Sequence, residues 1–593
     1  MIAAVLAPSV ADRDERMARI VAWAGPTSAR WTVGRAVFAT WPHCGRAGRT
    51  GDGAVLGRLD TAVDHLGLDL GRASGDFALV SPAADDGLLL ARAQLAGRPL
   101  YYWRDRATGA VVVCSQLAGL LHVIGHRPSL NVQRLASLAV EWPHFDPTAT
   151  VYDAVSRVDL GQALVLSLER RVATRTHAIG VEPLLEGTAE ELADQLRAHV
   201  LSAVRRSIEG ATRVAVMAGG GVDSSGLLAA AVAIARGAPK RDVQAIAFDF
   251  AGPGDDRPYL RALASALGLE PIRVGASGLS PFLRKTLVID ASPAAWPSIA
   301  VDVGLAAAAR EAGADRLISG VCGDDLIDGE PRFLAQVARG GHLVEALRDA
   351  VRLRLYWRTS AAERVVSFVL RPLAATTLPW LALATRRMRN RVDQDWLGPE
   401  LRALVETTAA RDRRRYPQDV HLRSRHRILA ARYLQSVMEV QAQVTAATGL
   451  ATASPFLDRE LVSFVTRIPP TMLLHGGRLK GLYRLAMRGL VPDQILDRPD
   501  KAEFVCGYDE VVQGAGGFGA LEDLATMREL GRLGLVEPAP YLRAYRKLTG
   551  EARASGEWLL LWPALAVEAF VRAYERGDLT PRPPRTVAAD VRA

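Results

Sequence analysis

Apolar positions along the chain change their period near residue 185. Before that point, short alternating runs such as GDFALV (Gly75 to Val80), GLLLARA (Gly87 to Ala93) and GAVVVCS (Gly109 to Ser115) are parted by Gly, Asp and Pro. This pattern predicts strands joined by turns. Just after it, TAEELADQLRAHVLSAVRRSIEG sets Leu192, Leu196, Val200, Leu201 and Val204 on one helical face and stops at Gly210. The spacing predicts an amphipathic helix with a domain boundary before it.

Farther on, RVAVM, a helix from Ser224 to Arg236, VQAIAFDF, a helix after Pro258, PIRVG and DRLISG follow one another. The alternation predicts parallel βαβ units, hence an α/β fold. From about residue 335 the pattern is mostly helical, and PRPPRTVAADVRA at the end reads as a frayed tail. VVSFVLRPLAATTLPWLALAT, Val365 to Thr385, has the length of a membrane span, but Arg371, Pro372 and Pro379 interrupt it. Buried or partner-facing helices are expected there, with weak membrane-surface contact as the lesser alternative.

Composition adds bounds. Of 593 residues, 49% are hydrophobic and 23% charged, enough apolar material for several cores in a soluble globular chain. The four cysteines, Cys44, Cys114, Cys322 and Cys506, form no C-x-x-C pair, which argues against a disulfide framework and a structural zinc site. A reducing, cytoplasmic setting is expected, and MIAAVLAPSVADRDERM lacks the basic start of a secretory signal. The net charge of +9 is carried largely by arginines that read as solvated. No zinc-finger, RNP-like or basic-zipper pattern accompanies it, so no nucleic-acid partner is expected.

VAVMAGGGVDSSGLLAAAVAIARG, Val214 to Gly237, joins an apolar strand to an alanine-rich helix through Gly219, Gly220 and Gly221. Glycine permits the positive φ angles of an anion-binding nest, and a helix N-terminus adds free N–H donors. Phosphate is the predicted ligand. The Walker pattern is absent, since no lysine follows the glycines. Asp223 can reach a Mg²⁺ that bridges phosphates or can cap the helix, and Ser224 can donate to a phosphate oxygen.

G-G-G-V-D-S resembles the S-G-G-x-D-S loop of the ATP pyrophosphatases. GDFALV, ARAQLAGRPLYYW (Ala91 to Trp103), ISGVCGDDL (Ile318 to Leu326), SPFLDRELVSF (Ser454 to Phe464) and RPDKAEF (Arg498 to Phe504) then follow in the order seen in asparagine synthetase B. The resemblance implies an Ntn-hydrolase-like αββα glutaminase-type domain over residues 1–183. It further implies a parallel-sheet, adenine nucleotide alpha-hydrolase-like (PP-loop) synthetase domain with helical additions over residues 184–580, and a tail over 581–593. The glutaminases of this family use an N-terminal cysteine. Here Ile2 follows Met1 and no cysteine precedes Cys44, so glutamine hydrolysis is expected to be absent. The same loss is typical of β-lactam synthetases and lasso peptide cyclases. Val321 stands where asparagine synthetases carry Glu and β-lactam synthetases Tyr. The Gly323-Asp324 pair and DKAEF look most like the lasso peptide cyclases, which are macrolactam synthetases.

By this resemblance, Gly219, Gly220, Gly221, Asp223 and Ser224 hold the phosphates of ATP that leave as pyrophosphate, and Asp223 and Asp324 hold Mg²⁺. Val216, Met217, Phe248, Ser319 and Gly320 grip adenosine. Lys501 stabilises negative charge during adenylation and amide formation, and Lys480 stands near phosphate. Asp255 or Asp256 matches an acidic pair that contacts metal or merely caps a helix. With Val321 in place, the base is unidentified; Glu439 is a candidate proton acceptor or a structural glutamate.

The implied reaction adenylates an Asp or Glu side chain of a ribosomal precursor peptide and closes a macrolactam with its N-terminal amine. A leader-peptide protease and a leader-binding protein are the implied partners. The alternatives are an asparagine-synthetase-like ligase for another small carboxylate, or a degenerate homologue that only binds nucleotide. Gly219 in place of the usual serine motivates the last, and on the catalytic reading Gly219→Ser is expected to keep or raise activity.

Overall fold

In the strand Ile2–Leu6, Ile2, Ala4 and Leu6 enter one apolar cluster while Ala3 and Val5 enter another. This is the two-sided division that alternating side chains impose on a strand buried on both faces. The computed structural model describes residues 1–41, 47–59, 73–83, 86–140, 146–169, 171–176, 182–238, 240–252, 255–355, 359–377, 395–405, 432–501, 503–550, 553 and 556–579.

Ile2–Leu6 lies inside a six-stranded antiparallel sheet, ordered Val155–Arg157, Tyr101–Arg104, Val111–Cys114, Ile2–Leu6, Ala36–Thr40, Ala29–Val33. A second six-stranded antiparallel sheet is ordered Arg171–Thr176, Gln162–Leu166, Gly87–Arg92, Ala78–Ala83, Gly53–Leu56, Ala47–Thr50. Phe38, Val113, Leu88, Leu90 and Leu164 fill the space between the sheets. The helices Val10–Ala24, Leu117–Ile124 and Val132–Ala139 cover the outer face of the first sheet through Met17, Ile20, Trp23, Leu120 and Leu135. Two sheets and one helical layer are thus seen among the described residues, three of the four layers of an αββα arrangement.

The helix expected after Thr188 spans Ala189–Ile208. Thr188 and Glu191 form a capping box: Glu191 N–H donates to Thr188 Oγ1 at 3.2 Å, and Thr188 N–H to Glu191 Oε2 at 2.9 Å. Then comes a five-stranded parallel sheet, ordered Ile272–Gly275, Asp242–Asp249, Arg213–Met217, Arg316–Ile318, Ala451–Ala453. Val214 and Val216 face the core with the helices Ala189–Ile208 and Val222–Arg236, while Ala215, Ile246 and Leu317 face the core with Ile299–Glu311. Burial on both faces explains why these strands read as unbroken apolar runs. Chain order reverses on either side of Arg213–Met217, and ligands of open parallel sheets bind in the crevice beyond such a switch point.

Beyond the sheet the chain is mostly helical, as expected. The apolar stretch after Val365 begins as a helical run through Thr377; Val369 is buried, but Val366 and Leu370 are about half exposed. Residues 378–385 of that stretch and the tail from 581 lie outside the described residues. No helix among the described residues is long and apolar enough to cross a membrane.

Arg92, Arg134 and Arg157 stand apart from the solvated majority of arginines and are buried against a helix of the C-terminal half. Arg92 donates to Gln435 Oε1 at 3.0 Å, Arg134 to Glu439 Oε2 at 2.8 Å, and Arg157 pairs with Glu439 Oε1. Gln435 and Glu439 lie on the helix Arg432–Thr448. From the other side, Asp290 accepts the N–H groups of Leu117 and Ala118, each at 2.9 Å, at the start of a helix without a side-chain cap of its own.

Candidate active site

The strand Arg213–Met217 ends at the three glycines, and Gly221 begins the helix Val222–Arg236 with no side chain capping it. Its first N–H donors therefore remain available to an anion at the sheet's switch point. The nest conformation is not adopted, however. None of Gly219, Gly220 and Gly221 has a positive φ, and Gly221 is extended at φ −74° and ψ 147°. At Gly219 and Gly220, crowding is what demands glycine. A Cβ on Gly220 would stand 2.5 Å from Tyr259 Cβ and 2.8 Å from the Asp256 carbonyl oxygen, and one on Gly219 would overlap the Asp256 carboxylate.

Asp256 stands at the N-cap position of Arg257–Leu267, but its carboxylate is turned to other partners. Its Oδ2 accepts Gly220 N–H at 3.0 Å, its Oδ1 pairs with buried Arg498, and its side chain caps nothing. Arg498 also donates to Gly220 O at 3.1 Å, lies 4.1 Å over the Tyr259 ring, and pairs with Asp500 at 2.7 Å. Asp255 is taken up by Arg257 at 2.7 Å.

Asp223 and Asp324 come together from two loops. Asp223 is in the first turn after the glycines, and Asp324 in the first turn of Gly323–Ile327, which follows the strand Arg316–Ile318. The Lys480 ammonium joins them, pairing with Asp223 Oδ2 and donating to Asp324 Oδ1 at 2.6 Å, with Asp328 Oδ1 at 3.3 Å. Lys501 takes the other Asp324 oxygen. Lys480 is 4% exposed at its side chain and Lys501 43%, so one is embedded and the other meets solvent. Burial pushes the Asp223 carboxyl above its ordinary range, against the pull of Lys480. Burial acts on Asp324 in the same sense, yet Lys480 and Lys501 hold it well below the usual carboxylate range. Burial pushes Asp328 up to about 7. Asp223 Oδ1 is buried with no hydrogen-bond partner among the described residues.

Backbone strain marks the same place. Cys322 and Lys480 hold φ of 66° and 58°, the left-handed region that non-glycine residues seldom enter. Such conformations persist where surrounding structure enforces them, often at functional sites.

Asp223, Asp324, Lys480 and Lys501 open on one cleft of about 370 Å³. Met217, Gly219, Gly221, Asp223, Ser224, Phe248, Ser319, Gly320, Asp324, Lys480 and Lys501 line it. Val216 and Gly220 do not: Val216 is fully buried in the core, and Gly220 is packed against Tyr259 and Asp256. Phe248 belongs to an aromatic wall, 4.9 Å from Phe250 and 6.3 Å from Tyr508 between ring centres, with Phe504 beyond. Glu439 is no proton acceptor for this cleft; it neutralises Arg134 and Arg157 away from it.

Several lining residues escaped the sequence reading. Trp296, Ser298, Asp302 and Gln441 all face the cleft. Asp302, the one acid in the first ten residues of IAVDVGLAAAARE, was a usable signal; Gln441 was not, since a glutamine on an amphipathic helix looks like any surface residue.

The asparagine synthase family model matches residues 195–572, which takes in the parallel sheet and every side chain of the cleft named above. Asparagine synthetase [glutamine-hydrolyzing] 3 of Bacillus subtilis (strain 168) is 22% identical over 455 residues, covering 74% of this chain and 67% of that protein. A glycine turn at a parallel-sheet switch point, two carboxylates and two lysines in one cleft agree with that match. The chain belongs to the asparagine synthase family and is an ATP-dependent, AMP-forming ligase.

Proposed function

We propose that this ligase is a macrolactam synthetase of the lasso peptide cyclase type. It adenylates an Asp or Glu side chain of a leader-free precursor peptide and joins that carbonyl to the peptide's N-terminal amine. The observation that carries this reading is the character of the cleft: beside the charged cluster it offers Trp296, Phe504 and Tyr508, with Trp296 36% and Phe504 38% exposed. Large, partly exposed aromatics suit a peptide's apolar side chains, whereas a small amino acid calls for charged groups at both of its ends. A leader-peptide protease and a leader-binding protein would deliver the substrate.

Amide synthesis from a free carboxylate lacks a good leaving group, and adenylation supplies one. The helix start at Val222–Ser224 would receive the phosphates, with Met217, Phe248, Ser319 and Gly320 around adenosine. Asp223 and Asp324 fit Mg²⁺: three carboxylates face two ammonium groups, and Asp223 Oδ1 is a buried oxygen lacking a donor. Mg²⁺ is ordinarily held by one or two carboxylates together with substrate phosphates. Bound there, it would neutralise charge on the departing pyrophosphate. Lys501, exposed to the cleft, would stabilise charge that develops on the acyl phosphate.

A second reading, amide formation on a small carboxylate, is favoured by the likeness to the asparagine synthetase of B. subtilis. Incubation with ATP and either a leader-free peptide or aspartate plus ammonia separates the two. AMP, pyrophosphate and a peptide lighter by one water are expected only with the peptide; AMP from aspartate plus ammonia alone would overturn the proposal.

A further inference from the structure

Two acceptors in the cleft wall take no part in the charged cluster. Asp302, on Ile299–Glu311, accepts Ser298 Oγ–H at its Oδ2 at 2.8 Å and lines the cleft. Gln441, on Arg432–Thr448, has its Oε1 buried and without a donor among the described residues. The two helices pack against each other, and Val301, Leu305, Val437 and Val440 line the cleft around these groups. An acceptor buried and unpaired like Gln441 Oε1 costs about 1–3 kcal/mol, so a donor from a substrate is its natural complement, with the Asp302 carboxylate beside it in the cleft wall. The site's own ammonium groups are committed elsewhere, Lys480 to Asp223 and Asp324, and Lys501 to Asp324.

We infer that Asp302 and Gln441 form the receiving site for the attacking primary amine, Gln441 Oε1 accepting one N–H and Asp302 taking the proton released on attack. This rests on the two-step reading above. In the second step the amine lone pair forms the C–N bond to the acyl carbon. The C–O bond to the AMP phosphate breaks, its electron pair leaving with AMP, and the surplus N–H proton passes to Asp302 Oδ1. Burial pushes Asp302 up to about 6, which leaves it ionised at neutral pH and still basic enough to accept a proton. Tyr508 lines the cleft wall with Ser298 and Asp302. The competing donor is the exocyclic amine of adenine, and the two half-reactions tell the cases apart.

Full-length Asp302→Asn and Gln441→Leu are compared with wild type in pyrophosphate exchange into ATP, which reports adenylation, and in amide formation. Exchange is expected within about threefold of wild type in both, while amide formation falls by about 10²–10⁴-fold in Asp302→Asn and about tenfold in Gln441→Leu. Added hydroxylamine is expected to trap the unspent adenylate in Asp302→Asn. Exchange that falls in step with amide formation, or a raised KM for ATP, overturns the inference and assigns the pair to the nucleotide. Full amide formation in both variants also overturns it. Should Asp302→Asn not fold, Gln441→Leu carries the same comparison alone. If wild type exchanges with a small carboxylate and not with peptide, the peptide reading fails; the same variants then test the amine site with that carboxylate and ammonia.

Discussion

The Asp256 carboxylate occupies the space that a side chain on Gly219 would need. It is held there by Gly220 N–H and by Arg498, whose side chain is 1% exposed, so it cannot swing away freely. Gly219 is therefore matched to Asp256, and the missing loop serine is no simple loss. The sequence alone favoured Gly219→Ser as neutral or improving, and the packing reverses that. Gly219→Ser is expected to destabilise the protein by about 1–3 kcal/mol in chemical denaturation and to lower ATP turnover, as overpacking does elsewhere. A variant with wild-type stability and turnover would contradict the clamp.

Lys480 and Lys501 should fail differently. Removing Lys480, itself 4% exposed, leaves Asp223, Asp324 and Asp328 facing one another, of which Asp223 and Asp328 are mostly buried. Lys480→Gln is expected to lose about 3–5 kcal/mol of stability along with activity. Lys501→Gln is expected to stay within about 1 kcal/mol of wild type in stability, because its ion pair is half exposed. Its adenylation rate should nonetheless drop by about 10²–10³-fold. Denaturation curves and single-turnover rates on both variants check the contrast.

Asp302 gives stability a pH dependence of known sign. Unfolded, an aspartate titrates near about 3.9; folded, burial raises this one to about 6. The folded state binds the proton more tightly, so this contribution is complete below about pH 4 and is lost as pH rises through about 6. Between about pH 5 and pH 7.5, wild type should lose on the order of 1 kcal/mol relative to Asp302→Asn in urea titrations. Parallel losses in the two proteins would contradict it.

Glu439 is expected to matter through the fold. Its carboxylate neutralises Arg134 and Arg157, with side chains 2% and 1% exposed. Glu439→Gln should cost about 3–5 kcal/mol and loosen the helix that brings Val437, Val440 and Gln441 to the cleft. A stable variant that is merely slower, with a shifted pH profile, would restore Glu439 as a proton acceptor.

Features set by local spacing were legible in the sequence. The helix Ala189–Ile208, the apolar parallel strands and the strand-glycine-helix turn all follow from periodicity and capping chemistry within a few residues. Asp223, Asp324, Lys480 and Lys501 do share one cleft. What escaped is set by distant parts of the chain. Gly220 is glycine because Tyr259 crowds it, and Gly219 because Asp256 does, neither of which a glycine run discloses. Arg92, Arg134 and Arg157 look like solvated charges until the helix Arg432–Thr448 is folded against them. Val216 looks like a cleft residue from its place beside the loop, but strand alternation turns it into the core.

On the proposed reaction the cleft adenylates a side-chain carboxylate of a peptide. The most direct test of that reaction uses a leader-free peptide whose acceptor Asp or Glu carboxylate carries oxygen-18, incubated with ATP and Mg²⁺. One labelled oxygen transferred to each AMP, with pyrophosphate unlabelled, is the predicted result. Label found in inorganic phosphate beside ADP, or a cyclised product formed with unlabelled AMP, would contradict it.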